Sequence, residues 1–187
     1  VRPEQGRLLV RLARGAIHAE LHRPLPPDEQ PDWLSEPGAT FVTLHRLAQL
    51  RGCIGSIEPR RPVGEDVREN AVAAAMRDPR FMPMTTDELV DLEVEVALLS
   101  ALEPISVKSE GEALARIRPG TDGLVLTYGT NKGTFLPQMW EQLPAPKEFL
   151  RCLKQKAGLP RDFWEPTVQL QRFTAEKWGD AGPPAQA

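Results

Sequence analysis

Two β-branched, apolar runs, Thr40 to His45 and Leu50 to Gly55, are separated by only four residues. So short a gap joins neighbouring strands as an antiparallel hairpin, and the rest of the chain has to fit around it. If His45 faces Leu50, then Leu44 stands opposite Arg51 and Val42 opposite Cys53. Alternation gives Val42, Leu44, Arg51, Cys53 and Gly55 one face, and Phe41, Thr43, His45, Gly52 and Ile54 the other. On that register His45 and Cys53, the obvious base and thiol, point to opposite sides. A bulge at either glycine would re-aim the side chains that follow and rescue the pair.

The flanking segments supply helices. Leu8, Leu9, Leu12, Ala13, Ala16, Ile17 and Leu21 recur at helical spacing, which predicts a helix over about Pro3 to His22. His18 and His22 on it have the i, i+4 spacing of a helical metal site, but no carboxylate or thiol is placed to complete one, so no metal is assigned. From Pro24 to Gly38 five prolines mark a surface connection, pinned by Trp33 and Leu34. A second helix is predicted from about Gly64 to Arg77, with Val67, Ala71, Ala74 and Ala75 inward, stopping before Pro79. Phe81 in the turn Asp78-Pro79-Arg80-Phe81 is expected to anchor in the core.

Thr85 and Glu88 have capping-box spacing and open a short helix, after which Glu93 to Leu102 reads as one strand. Glu110 to Ile117 reads as a small helix. Leu124 to Tyr128 and Thr134 to Leu136 form a second hairpin with a polar tip. Pro146 suits the first turn of a helix carrying Phe149, Leu150, Leu153 and Ala157, closed by Gly158. Cys152 within it is expected to be a buried, inert thiol. A last strand covers about Thr167 to Phe173, and a flexible tail is expected over 179–187. Helices and hairpins alternate without a regular βαβ rhythm, so the fold class is α+β: a mainly antiparallel sheet flanked by helices. One domain over 1–178 is expected.

Composition excludes several classes. Apolar residues make up 41% and charged residues 26% of 187, and no apolar run approaches the roughly 20 residues that cross a bilayer. The opening residues carry no basic, apolar leader and the two cysteines lie far apart, so a reducing, cytoplasmic location is expected. A formal net charge of -3 removes the overall field that draws a protein onto nucleic acid, and aromatics are not interleaved with its basic residues. No dinucleotide fingerprint or Walker-type loop is present.

What chemistry the chain carries gathers at Leu50-Arg51-Gly52-Cys53-Ile54-Gly55-Ser56 and at Asp78-Pro79-Arg80. Cys53 is the candidate nucleophile, its thiolate favoured by neighbouring Arg51. The competing reading makes it a small core residue facing Val42 and Leu44. Arg51, Gly52, Gly55, Ser56, Asp78 and Arg80 are the candidate ligand-binding residues, because two guanidinium forks on a glycine-thinned backbone suit phosphate or carboxylate. The plainer alternatives are that the glycines serve close packing and that Asp78 and Arg80 brace their own turn. No cofactor is assigned.

With those stretches placed, the chain resembles the AMMECR-type domain family, and within it the bacterial proteins of the AmmeMemoRadiSam system. The matching runs are Phe41 to His45, Leu50 to Ser56, Asp66-Val67 with Asn70-Ala71, Asp78 to Phe81, Glu95-Val96 with Leu99-Ser100, Asp122 to Leu124, Phe135 to Pro137 and Lys156 to Leu159. The chain departs from the family at the first hairpin tip, where a glycine-containing polar turn is usual and Leu47-Ala48 stand here. It departs again at Ala97, where serine is common. The resemblance implies two lobes, a larger one holding both chain ends and a smaller one from the middle, with a cleft between them. It implies no established enzymatic activity. It does imply a modification pathway shared with a radical S-adenosylmethionine protein and a Memo-type protein. The expectation is a binding or adaptor component that presents Arg51, Cys53, Asp78 and Arg80; the alternatives are a Cys53-dependent enzyme and a nucleotide or RNA binder.

Overall fold

The computed structural model describes residues 2–180. The fold is α+β, and the chain divides into two compact units: one built from the residues up to Leu99 and rejoined by the chain from Glu176, the other from Ser100–Ala175. Among the described residues no helix is long and apolar enough to cross a membrane.

In the first unit the predicted helices form where the apolar stripes put them. α1 (Pro3–Glu20) starts with proline in its first turn, and the Gln5 side chain accepts a hydrogen bond from the Arg2 N–H at 2.9 Å. It buries Leu8, Leu9, Leu12, Ala13 and Ile17. α2 (Val63–Met76) buries Val67, Ala71, Ala74 and Ala75. Small side chains along this face let it approach the sheet closely. The sheet has the order β10-β5-β2-β3, made of β2 (Thr40–Arg46), β3 (Gln49–Gly55), β5 (Leu92–Leu99) and β10 (Ala175–Gly179). β2 runs antiparallel to both β3 and β5. Val42, Leu44, Val94 and Val96 supply the sheet side of the core against Leu9, Ile17 and Val67. A two-residue ladder of β1 (Pro37–Gly38) and β4 (Arg61–Pro62) leads into α2, whose Val63 N–H donates to the Glu36 carbonyl at 2.8 Å.

Several expectations change. β5 ends at Leu99 rather than Leu102, because the Ser100 hydroxyl and N–H turn to Thr174 and a separate β6 (Glu103–Ile105) follows. Phe81 is half-buried rather than a core anchor, with the guanidinium carbons of Arg51 and Arg80 lying 5.7 and 5.5 Å from its ring centre; Met84 takes the core position. Strand β10 had no signal in Ala-Glu-Lys-Trp-Gly, yet its Trp178 lies over Gly6, where a methyl would fall 2.0 Å from the indole. Of the tail expected over 179–187, Gly179 closes β10 and the Asp180 carboxylate accepts from the Val94 N–H at 2.6 Å. Residues 181–187 lie outside the described residues. The β2–β3 connection is tighter than expected. Leu47 and Ala48 form it alone, both with positive φ, at 49° and 61°. For residues with a Cβ, each such conformation costs about 1 kcal/mol.

The second unit repeats the layering. Its antiparallel sheet has the order β6-β9-β7-β8, with β7 (Gly123–Tyr128), β8 (Asn131–Phe135) and β9 (Gln169–Phe173). The β7–β8 tip is only Gly129-Thr130, since Asn131 and Lys132 already pair with Tyr128 and Thr127. α3 (Glu110–Arg116) is capped by the Ser109 hydroxyl. α4 (Pro146–Lys156) ends as the sequence predicts: Gly158 has φ 82°, its N–H donates to Gln155, and the Leu159 N–H reaches back to Lys154. The indole of Trp140 stacks on Phe149 at 3.8 Å, centring this core. Cys152 is half-buried, its thiol 3.6 Å from a Glu148 oxygen, and burial followed by that carboxylate pushes its pKa up.

Lys154 is buried in this unit, with 0% of its side chain exposed and Nζ 2.9 Å from the Glu110 carboxylate. A buried pair gains little over an apolar substitute, whereas an orphaned buried charge is costly. Lys154→Met is therefore expected to leave stability within about 1 kcal/mol, and Glu110→Ala to cost about 3 kcal/mol, by urea unfolding.

Candidate functional site

The register of the first hairpin is not the one expected. His45 does face Leu50, but the pairing then shifts: Gly52 faces Leu44, Cys53 faces Thr43, Ile54 faces Val42 and Gly55 faces Phe41. Arg51 is the extra residue of a bulge, so every side chain after it is turned to the other face. Cys53 therefore does not stand beside Val42 and Leu44. It shares the face of Thr43 and His45, half-buried, with its thiol 3.3 Å from the Thr43 hydroxyl. Among the described residues no hydrogen bond links it to His45. The bulge falls at Arg51 rather than at a glycine, and both glycines have packing duties. A methyl at Gly52 would lie 2.2 Å from the Ala74 carbonyl of α2, and one at Gly55 would lie 2.2 Å from the Phe41 ring.

β3 is an edge strand, and the turn after α2 closes it. Asp78, buried, accepts the Cys53 backbone N–H at 2.9 Å and the Arg80 guanidinium at 2.7 and 3.0 Å. Arg80 in turn reaches the Cys53 carbonyl at 3.4 Å. The edge's outward donor and acceptor at Cys53 are thus both engaged, which blunts it as a template for another strand. The hydrogen bonds from Arg80, then those from the Cys53 and Arg80 backbones, hold the Asp78 carboxyl far below the ordinary carboxylate range despite its burial.

Arg51 is spoken for through Nε and Nη2, while its buried Nη1 has no hydrogen-bond partner among the described residues. Its side chain is 13% exposed and grips Glu88 through Nε at 2.6 Å and Nη2 at 3.0 Å, with Nη2 also donating to the Met82 carbonyl. Arg46 joins Glu88 at 2.9 Å and Asp91 at 2.6 Å. The Arg51 hydrogen bonds, aided by the Thr85 N–H and Arg46 and opposed by burial, lower the Glu88 pKa from 4.5 to about 2. Glu88 also completes the predicted capping box, accepting the Thr85 N–H at 2.8 Å.

Ser56 belongs to a buried network that the sequence reading did not assemble. Asp66, 1% exposed, accepts five hydrogen bonds: from the Thr40 N–H at 2.8 Å, the Thr40 hydroxyl at 2.7 Å, the Asn70 amide at 3.0 Å, the Ser56 hydroxyl at 2.8 Å and the Arg61 Nε at 2.8 Å. Asn70 also donates to the Thr40 carbonyl at 3.0 Å. Beside this network opens a cavity of about 480 Å³ lined by Ser56, Ile57, Glu58, Arg60, Arg61 and Asp66. A signal for Asp66 and Asn70 was present: two polar residues at i, i+4 interrupt a helix face that otherwise buries Val67, Ala71 and Ala74.

Among the described residues no group of three or more His, Cys, Asp or Glu is placed to hold a metal ion. His18 and His22 do not form the helical pair their spacing suggests, because α1 ends at Glu20 and His22 has φ 58°.

A lowered folded-state pKa contributes stability that is complete above the unfolded value and lost as pH falls through the folded one. The stability gap between wild type and Glu88→Gln is therefore expected to be widest above pH 4.5 and to close toward pH 2 in melts across pH. Asp66→Ala orphans Arg61 and several donors at once, and is expected to cost about 3 kcal/mol by chemical denaturation.

The AMMECR1 family model matches residues 10–178. A protein of Methanothermobacter thermautotrophicus is 39% identical over 188 residues, covering 96% of each chain. One from Thermotoga maritima is 41% identical over 140 residues, covering 74% of this chain and 75% of its own. The crystal structure of an uncharacterized protein from Pyrococcus horikoshii superposes with a TM-score of 0.87 at 36% identity, covering 100% of this chain and 96% of that one.

Proposed function

The chain belongs to the AMMECR1 family, and on that footing we propose that it is a binding and adaptor component rather than a catalyst. Its place is a modification pathway shared with a radical S-adenosylmethionine protein and a Memo-type protein. The observation that supports this reading is where the polar groups of the Leu50–Ser56 strand and its neighbours are spent. Arg51 is held by Glu88, Arg80 by Asp78 and Ser56 by Asp66, while the Cys53 thiol meets a threonine hydroxyl. A cysteine nucleophile needs a base or a cation to hold its thiolate. Arg51 turns its charge to Glu88 instead, so the strand is built for shape. The cavity by Ser56 is the place left for a ligand, a nucleotide among them, but its guanidinium groups are already paired, Arg60 with Glu58 at 2.6 Å and Arg61 with Asp66 at 2.8 Å, so an anionic ligand binds there only by competing with those carboxylates.

One observation favours the Cys53 enzyme as a second reading: the bulge at Arg51 takes the thiol out of the core and onto the face of Thr43 and His45. Co-expression with the Memo-type and radical S-adenosylmethionine proteins separates the two. Wild type and Cys53→Ala are both expected to elute with a partner on size-exclusion chromatography, and Cys53 is expected to alkylate more slowly at neutral pH in the folded protein than in the denatured chain. Separate elution of the wild type overturns the adaptor reading. Faster labelling in the folded state would transfer support to the enzyme.

A further inference from the structure

We propose that the tip of the β2–β3 hairpin, together with the 3₁₀ helix Thr86–Asp91, is the docking surface for a protein segment that presents an apolar stripe bordered by lysine or arginine. This deepens the adaptor reading and rests on it for the existence of a partner; the surface itself is argued from exposure, backbone strain and charge.

Five large apolar side chains stand exposed among the described residues, and four of them belong to residues that flank or join one ion cluster in the chain: Leu47 at 77%, Leu50 at 42%, Met82 at 81% and Val90 at 90%. Leu47 follows Arg46, which binds Glu88 and Asp91; Val90 precedes Asp91. Leu50 precedes Arg51, which binds the same Glu88 carboxylate and the Met82 carbonyl. Singly exposed apolar residues are ordinary, but four on the segments that one ion cluster ties together are a surface feature.

The hairpin turn sharpens the point. With φ positive at both central residues, it has the backbone that Asn-Gly adopts without strain, and Leu-Ala is a poor occupant. The fold draws little packing from a leucine left 77% exposed. The chain bears local strain to hold an apolar side chain in water at the most projecting point of the hairpin. Beneath it, Glu88 receives both guanidinium groups, so the surface is pre-organised rather than loose.

Charge selects the occupant. Arg46 and Arg51 are paired with Glu88 and Asp91, which leaves the exposed Asp87 and Glu93 to set a negative rim. A basic border complements it, and a second copy of the same surface would meet it with like charge.

The test is an amide chemical-shift titration of the full chain with a short amphipathic peptide of leucine and lysine, repeated with its leucine and glutamate counterpart. The expected result is perturbation confined to 46–51, 82 and 86–93, with none from the acidic peptide. Leu47→Asn combined with Ala48→Gly is expected to raise the thermal midpoint while weakening peptide binding about tenfold. Perturbations elsewhere, equal response to both peptides, or unchanged binding by the double variant overturns the proposal, as does concentration-dependent dimerisation that the double variant abolishes. The two readings fail separately. If the double variant still elutes with the pathway proteins, the docking surface falls and the adaptor reading stands; if the basic peptide binds at the tip but no pathway protein co-elutes, the reverse holds.

Discussion

The Asp66 carboxylate is the interaction on which the first unit depends. It sits in the first turn of α2, and its five donors come from the start of β2, from the residue after β3, from β4 and from its own helix. A carboxylate this deeply buried is tolerable only when its lone pairs are fully used. That requirement fixes the end of β3, the approach to α2 and the helix in one arrangement. Gly52 completes the arrangement farther along, because the missing side chain lets the Ala74 carbonyl come down onto the strand.

The same logic repeats at smaller scale. Both arginines read as ligand candidates are engaged by carboxylates, Arg51 by Glu88 from the 3₁₀ helix and Arg80 by Asp78 within its own turn, and Arg61 is likewise held by Asp66. Arg51–Glu88 and Arg61–Asp66 join strand to helix, and Arg80–Asp78 braces a turn that also holds the Cys53 backbone, so removing one partner would disturb architecture before it disturbed any surface. Arginine is suited to this because its planar fork can satisfy a carboxylate and a backbone carbonyl together, as Arg51 does with Glu88 and Met82.

Much of the architecture was legible where it rests on periodicity. The stripes of α1, α2 and α4 and the glycine stop at Gly158 were readable because each depends on local spacing and on a conformation few residues adopt. The site was less so. A bulge adds one residue without changing composition, so nothing at Arg51 distinguished the true register from the simple one, and Cys53 was placed on the wrong face. The partners of Arg51 were hidden for another reason: Glu88 lies 37 residues away and is brought back only by the tertiary fold. β10 was invisible because Ala-Glu-Lys-Trp-Gly carries no alternation, and its place is decided by the sheet edge it joins and by the indole over Gly6.

That last strand bears on how the chain is made. The polypeptide leaves the first unit after Leu99 and returns to it only from Glu176, so during synthesis the first sheet waits for its fourth strand until the whole of Ser100–Ala175 has been made. The inserted unit draws all its strands and helices from one continuous segment and can close earlier. Contacts between distant parts of a chain form late because a long loop must be ordered first. The nascent first unit, with one edge of β5 uncovered, is therefore open to misassembly until that strand arrives.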